Sequence, residues 1–164
     1  MEYGIESCNN ETLKKINRGH TFEESVKALD LSAGRNLHVG VHYILGLPGD
    51  SREDNLSHAK ILSGLPFETL KLHQLQIIKG TKMAKQYAEN PEMFKLFTAD
   101  EYIDFVVRFA ERLNPNIIIE RFISESPADM LIAPKCGGLK NFEIVAKIIK
   151  KFNNSDSWQG KFFK

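Results

Sequence analysis

Three polar side chains fall at alternate positions of two apolar segments, a spacing that would bring them to one face of a β-sheet. His42 lies within HVGVHYILG, and Lys71 and His73 lie within LKLHQLQII. Residues two apart in a strand point to the same side, whereas the intervening Val, Tyr and Leu residues point to the other side and suit packing under helices. A face that carries these polar groups together with Gly40 and Gly46 suggests a ligand site.

Two histidines on neighbouring strands are also potential metal ligands. Joined by a carboxylate such as Glu120 or Asp50, His42 and His73 would supply the ligands of a metal-dependent hydrolase. The chain has no HxH or HExxH segment to support that interpretation. Alternatively, both imidazoles are hydrogen-bonded within the core and have no chemical role. The residues alone leave both interpretations open.

The stretch GLPGD, which follows one of these segments, is a second candidate. Gly46, Pro48 and Gly49 predict a tight strand-to-helix turn, or a place where the backbone lets a ligand approach closely. A phosphate-binding loop is excluded, because the lysine and the serine or threonine that end such a loop are missing.

Strand and helix signals that would position these residues alternate along the chain. Apolar patterns predict four strands, at residues 2–6, 37–46, 69–78 and 117–123. Capping boxes predict helices that open at Thr21, Ser51 and Thr98. Further helices are expected after Asn9 or Asn10, over residues 83–89 and over residues 141–152, with a short helical turn at 127–131.

Helices between successive strands predict a parallel sheet of βα units, because parallel neighbours need a long crossover. An eight-stranded βα barrel takes about 250 residues, so this 164-residue chain is expected to form part of a barrel or an open sheet. In both folds, ligands bind at the carboxyl ends of the strands.

Composition argues against several functional classes. The net charge of +1 provides no basic field for non-specific nucleic-acid binding. The apolar runs are too short to span a bilayer, so we expect a cytoplasmic protein without a membrane partner. Cys8 and Cys136 are the only cysteines, and no CxxC pair is present. A disulfide framework is therefore excluded, and both thiols are expected to be reduced.

Several segments, taken in order, resemble the later half of a radical S-adenosylmethionine (SAM) protein. They are EYGIESCNNETLKKINRGHTFEES, HVGVHYILGLPGD and KLHQLQIIKGTKMA. The segments RFISESPADMLIAPKCGGLKN and SWQG resemble more closely the uncharacterised YhcC-like branch, which is related to the elongator-type radical SAM proteins. The resemblance covers essentially the whole chain, and the order and spacing of the segments are more specific than any one of them.

This resemblance implies a partial (β/α)6 TIM-like barrel in which a CxxxCxxC loop holds a [4Fe–4S] cluster, whose open iron binds and cleaves SAM. The sequence has no such loop. The expected fold is the C-terminal half of the barrel over residues 1–125, plus a helical extension over residues 126–164. The cluster is expected only in the full-length parent, and this chain alone is expected to be inactive.

The resemblance also assigns SAM-binding residues. The Gln and Arg that contact SAM in related members fall on Glu6, which is followed by Ser7, and on Arg18. A guanidinium offers a planar fork of donors to the SAM carboxylate, and a carboxylate can accept hydrogen bonds from ribose hydroxyls. Ile44 would lie along the adenine, and Gly46 would leave space beside it.

The remaining residues follow from the next strand. The backbone of Gln74, Leu75 and Gln76 would bind the adenine edge, and His42, Lys71 and His73 would face the substrate in the barrel lumen. RNA is a candidate substrate only by analogy with elongator-type relatives. The metal-dependent hydrolase and a non-catalytic binding fragment stay open as alternatives. Because half a barrel exposes strand edges and an apolar face, we expect self-association.

Overall fold

The computed structural model describes all of residues 1–164. Its strands, in chain order, are β1 (Glu2–Glu6), β2 (Gly40–Leu45), β3 (Thr69–Gln74), β4 (Ile77–Ile78), β5 (Ile118–Arg121) and β6 (Leu131–Ala133). Its α-helices are α1 (Asn10–Lys15), α2 (Phe22–Ser32), α3 (Arg52–Ser63), α4 (Lys82–Glu89), α5 (Ala99–Ala110) and α6 (Asn141–Asn154). Short 3₁₀ turns occupy Pro91–Met93 and Cys136–Gly138.

Four strands form a parallel sheet in the order β1-β2-β3-β5. Helices α1 and α2 connect β1 to β2, α3 connects β2 to β3, and α4 and α5 lie between β3 and β5. This arrangement confirms the predicted α/β class with parallel strands. The carboxyl ends of all four strands therefore lie along one edge of the sheet.

Helices cover one face of this sheet, which we call the covered face. Its residues Tyr43, Leu45, Leu70 and Leu72 are 0% exposed and belong to the main core of 23 buried residues. The opposite, open face carries partly exposed residues that alternate with them along β2 and β3. The open-face side chains used below are Glu2, His42, Ile44, Lys71, His73, Ile118 and Glu120. The predicted alternation in β2 and β3 is confirmed.

Local signals determine where the helices begin. Thr21, Ser51 and Thr98 each accept a hydrogen bond from the backbone N–H three residues later, and the acidic side chain there accepts one from the cap N–H. These bonds confirm the three predicted capping boxes and satisfy N–H groups that lack a partner within the helix. At the start of α1, the side chain of Asn9 accepts a hydrogen bond from Glu11 N–H.

The strand predicted over residues 69–78 is wrong in its second half. The chain leaves the sheet after Gln74, and β4 pairs antiparallel with β6. The short helical turn predicted at 127–131 is a single hydrogen-bonded turn that leads into β6, in which the N–H groups of Met130 and Leu131 donate to Pro127 O at 2.9 Å and 3.1 Å. The local sequence could not reveal the pairing of β4 with β6, because these two strands are distant along the chain. Strands β2 and β5 are also shorter at both ends than predicted.

Helix α6 packs against α5, and Ile144 and Ile148 are buried in the same core as the sheet. The boundary between residues 125 and 126 stays a prediction. No helix combines the length and the apolar character needed to cross a membrane.

Candidate functional site

Strand β1 ends in a strained turn that places Glu6 beside Arg18. Glu6 has a φ of +65°, and Ser7 N–H donates to Ile5 O at 2.8 Å. Positive φ at a non-glycine residue is unfavourable, and such residues concentrate at ligand sites. Arg18 Nη2 lies 3.6 Å from Glu6 Oε1 and donates to Gly4 O at 2.8 Å.

The guanidinium of Arg18 is not fully used by the protein. Its Nε is buried and has no hydrogen-bond partner, although buried N–H groups are nearly always paired. A Cβ at Gly4 would collide with both Glu6 Oε1 and Arg18 Nη2, so the pair lies against the strand only because residue 4 is glycine. Burial raises the pKa of Glu6, and the charge of Arg18 opposes that rise. These residues fit a ligand that brings an acceptor, such as a carboxylate, to Arg18.

The side chain of Ser7 is occupied by hydrogen bonds within the protein. Its side chain is 0% exposed. Its hydroxyl donates to Asp50 Oδ2 at 2.8 Å and accepts from Asn9 N–H at 3.0 Å. Thr12 donates to the other oxygen of Asp50 at 2.6 Å. These bonds fasten the GLPGD turn to α1, and a contact of the buried Ser7 with SAM stays a prediction.

The ligand set of the alternative metal-dependent hydrolase is not assembled. Asp50 binds Ser7 and Thr12, and Glu120 lies 3.3 Å from Lys71 Nζ. No three His, Cys, Asp or Glu side chains among residues 1–164 are placed to hold a metal ion.

Backbone conformation and packing explain the glycine at position 46 without a ligand. Its φ is +87°, and a Cβ there would lie 3.1 Å from the Phe97 ring and 3.3 Å from Arg52 Nη1. Arg52 in turn lies over the Phe97 ring, 3.1 Å from its centroid. The turn and this cation–π contact both require glycine at position 46. Contact of Gly46 with adenosine stays a prediction.

The ends of β2 and β3 border a recess of ≈ 330 Å³. Its lining includes Ile44, His73, Gln74 and Gln76, faced by Arg121 and Ser124 from the segment at the end of β5. The structure thus brings Ile44, Gln74 and Gln76, three of the residues assigned to adenine, from two strands to one place. Gly46 does not line this recess and lies against Phe97 and Arg52 instead. Leu75 also borders the recess, but it is 6% exposed and packs in a second apolar cluster with Leu47, Ile77 and Phe94.

The two glutamines fix the walls of the recess. Gln74 Oε1 accepts from Ser124 N–H at 3.1 Å, and Gln76 Oε1 accepts from the Ser126 hydroxyl at 2.5 Å. Leu75 N–H donates to Leu45 O at 2.9 Å, whereas the N–H and C=O of Gln76 make no main-chain hydrogen bond. One donor and one acceptor of the backbone are therefore available at the mouth of the recess.

Charged and imidazole groups on the open face are bonded to one another. Glu2 Oε2 lies 2.9 Å from His42 Nε2, and His42 Nδ1 lies 3.1 Å from His73 Nε2. The other oxygen of Glu2 pairs with Lys71. Hydrogen bonds from Lys71 and His42 lower the pKa of Glu2 to about 2, and Glu2 raises the pKa of Lys71. Burial, helped by the nearby cations, lowers the pKa of His73 to about 4.

Sequence reasoning missed Glu2 as a member of this group. The period-two rule could have found it, because Glu2 alternates with Tyr3 and Ile5, which pack against the core. Its partners could not have been deduced, because they depend on the register that sets Glu2 opposite Gly40, two residues before His42.

The two cysteines do not fit a [4Fe–4S] cluster. Both are free and partly buried. Burial raises the pKa of Cys8 to about 12 and raises that of Cys136, which disfavours the thiolate that iron requires. No third cysteine is present in residues 1–164.

Models of known protein families match most of the chain. The model of the radical SAM superfamily matches residues 1–62, and that of the Radical_SAM C-terminal domain matches residues 67–154. A solved structure of Elp3 from the archaeon Methanocaldococcus infernus superposes with a TM-score of 0.84 at 23% identity, covering 96% of this chain and 36% of that one. This likeness supports the partial-barrel fold.

Curated relatives agree with the family models. The uncharacterized protein MJ0486 of Methanocaldococcus jannaschii is 34% identical over 92% of this chain and 47% of its own length. Protein YhcC of Escherichia coli is 31% identical over 82% of this chain and 43% of its own. A tRNA uridine(34) acetyltransferase of M. infernus is 29% identical over 80% of this chain and 25% of its own length. The chain spans about half the length of the first two.

Proposed function

The chain belongs to the radical SAM superfamily, and we propose that it supplies the SAM-binding and substrate side of a radical SAM active site. When bound, SAM supplies the radical chemistry of such sites. The observation that carries the proposal is the Arg18 guanidinium at the carboxyl end of a parallel strand, whose buried Nε has no hydrogen-bond partner. In this class of fold, that end of the sheet is where ligands bind.

Arg18 and Glu6 would hold the methionine end and the ribose. Arg18 is already oriented by Gly4 O, so its free donor can meet a carboxylate at little cost in side-chain entropy. Glu6 would accept from a ribose hydroxyl, and its 3.6 Å contact with Arg18 keeps it from repelling the ligand carboxylate at full strength.

The recess beside β2 and β3 would hold the adenine. Ile44 offers an apolar surface, and the free N–H and C=O of Gln76 match the acceptor and donor on the edge of that base. We also keep Ser7, Gly46, Gln74 and Leu75 in the proposed SAM site. Two strand spacings separate Arg18 from the recess, about 10 Å, so an extended SAM molecule can contact both.

Binding of SAM to the chain tests this function. Isothermal titration calorimetry should detect binding, and Arg18→Ala should weaken it by about 1.5–3 kcal/mol through loss of a charged hydrogen bond. Arg112→Ala is a matched control. Arg112 is 36% exposed against 34% for Arg18, and it also lies near a carboxylate and donates to a backbone carbonyl. Equal affinities of the two variants would contradict the proposed role of Arg18.

The [4Fe–4S] cluster is part of this proposal only for full-length members of the family, because the residues here do not fit it. We therefore expect no SAM cleavage by the chain alone. RNA is the candidate substrate class, supported only by the relationship to a tRNA uridine(34) acetyltransferase. We place the protein in the cytoplasm, where two unpaired thiols stay reduced.

The proposal includes self-association of the chain with a second copy through the exposed edges of its half-barrel sheet. Strand β5 is an edge strand, and Ile118 on that strand is 61% exposed. An unpaired strand edge next to exposed apolar surface favours pairing with another copy.

A further inference from the structure

Glu2, His42 and His73 form a hydrogen-bonded line across the open face, with one residue from each of β1, β2 and β3. The two contacts measure 2.9 Å and 3.1 Å, both within hydrogen-bond range. The line begins at Glu2, whose side chain is 49% exposed, and ends at His73, which lines the recess. It therefore connects solvent with the place proposed for ligands.

The two imidazoles are suited to share a proton. Their ring planes differ by 14° and their centroids lie 5.1 Å apart. With His42 Nδ1 and His73 Nε2 3.1 Å apart, the rings are joined through their nitrogens, and one must donate while the other accepts.

Glu2 decides which nitrogen donates. It is ionised near neutral pH, because its pKa is about 2, and a carboxylate can only accept. His42 must then carry its hydrogen on Nε2, which leaves Nδ1 as an acceptor. His73 must donate from Nε2, and its Nδ1 is left with a lone pair and no hydrogen-bond partner in the protein.

We propose that these three side chains form a proton relay in which His73 Nδ1 takes a proton from an O–H, N–H or activated C–H group of a substrate bound in the recess. His73 is the catalytic residue, His42 receives the proton that His73 passes on, and Glu2 positions both rings. The relay rests on the proposed function only for the identity of the molecule that enters the recess.

The transfer is balanced without any other reactant. The bond between the substrate and its hydrogen breaks, and the electron pair stays on the substrate. The released proton binds covalently to His73 Nδ1. The hydrogen on His73 Nε2 passes to His42 Nδ1. His73 is neutral again, and His42 is an imidazolium ion beside the Glu2 carboxylate.

Surrounding charges favour this direction. Burial, His42, Arg121 on β5 and Lys71 on β3 lower the pKa of His73 to about 4, so it does not retain the proton. The carboxylates of Glu2 and Glu6 lie on the His42 side of the line. Of the other carboxylates nearby, Glu120 is paired with Lys71, and Glu125 lines the recess together with His73.

Nitrogen NMR on the ¹⁵N-histidine-labelled chain, without SAM, tests the relay. Long-range proton–nitrogen correlation identifies the protonated nitrogen of each ring. Near neutral pH, both His42 and His73 should carry hydrogen on Nε2. A hydrogen on Nδ1 of His73 would overturn the proposal.

Three variants separate orientation from a merely structural role. Glu2→Ala should raise the fraction of the Nδ1–H tautomer in both rings, because their orienting acceptor is lost. Glu2→Gln keeps an acceptor oxygen and should restore the Nε2–H form. Glu120→Gln removes a carboxylate that pairs with the same lysine but touches neither histidine, so it should change nothing. Unchanged tautomers in Glu2→Ala would refute the relay. A failure of SAM binding would leave these spectra unaffected, so the two proposals can fail separately.

Discussion

The two faces of one sheet differ in how their polar groups are satisfied. On the covered face, the one polar group deep in β2 is Tyr43 Oη, which bonds Asn55 Oδ1 at 3.0 Å and His58 Nδ1 at 2.7 Å. At the open face and its carboxyl edge, Arg18 Nε, His73 Nδ1 and the Gln76 backbone have no partners. Buried polar groups are nearly always paired, so the buried, unpaired Arg18 Nε indicates where a ligand would complete the structure.

Alternate residues of the same strand therefore have different tasks. Those on the covered face stabilise the fold through apolar burial. Those on the open face keep ionisable groups at fixed distances, at the cost of partial desolvation. Substitutions on the two faces should accordingly differ in what they change.

The largest expected effect is on the covered face. Leu72→Ala should lower the free energy of unfolding by about 2–5 kcal/mol, because Leu72 is 0% exposed and its removal leaves a cavity in the main core. Ile44→Ala, on the open face of the neighbouring strand, should cost about 1 kcal/mol, since Ile44 is only partly buried. Urea unfolding of both variants measures the difference. Equal losses would mean that the open face is covered in solution.

Sequence predicted the covered face better than the open one. The alternation of Val41, Tyr43 and Leu45 follows from local pattern, and burial then follows from the helices placed by their capping boxes. The contacts of Glu2, by contrast, depend on the register of three strands. The edge formed by β4 and β6 depends on pairing between segments distant in sequence.

The same distinction holds within the candidate site. The position of Ile44 beside the recess follows from strand parity, which sequence provides. The strained turn at Glu6, with φ of +65°, and the unpaired Nε of Arg18 arise from packing between β1 and the segment after α1. The sequence could not predict these two features, because neither Glu nor Arg has a local preference that indicates a positive φ or a missing hydrogen-bond partner.

A smaller effect is expected on association. If the exposed edge at β5 binds a second copy, Ile118→Lys should weaken the dimer by about 1–2 kcal/mol, roughly ten-fold in dissociation constant, because an exposed apolar side chain is replaced by a charge. Leu31→Lys is the control, since Leu31 is 57% exposed against 61% for Ile118 but lies on α2. Sedimentation equilibrium that shows only monomer for the unmodified chain would refute self-association.

The smallest effect concerns the pH dependence of stability. The pKa of His73 falls from 6.5 when unfolded to about 4 when folded. The unfolded chain therefore binds the proton first, and stability should fall as the pH drops from about 6.5 to about 4. Because His73 is partly exposed, we expect this loss to be on the order of 1 kcal/mol. His73→Gln should flatten the unfolding free energy over that range.

Glu2 provides the contrast on the same face. Its folded pKa of about 2 lies below the ordinary glutamate value of 4.5, so its contribution is lost only as the pH falls from about 4.5 toward 2. Urea unfolding across pH for the unmodified chain, His73→Gln and Glu2→Gln should therefore show two separate windows. If His73→Gln leaves the slope between pH 6.5 and 4 unchanged, the imidazole is not held neutral by its burial, and the contrast between the two faces is weaker than the structure indicates.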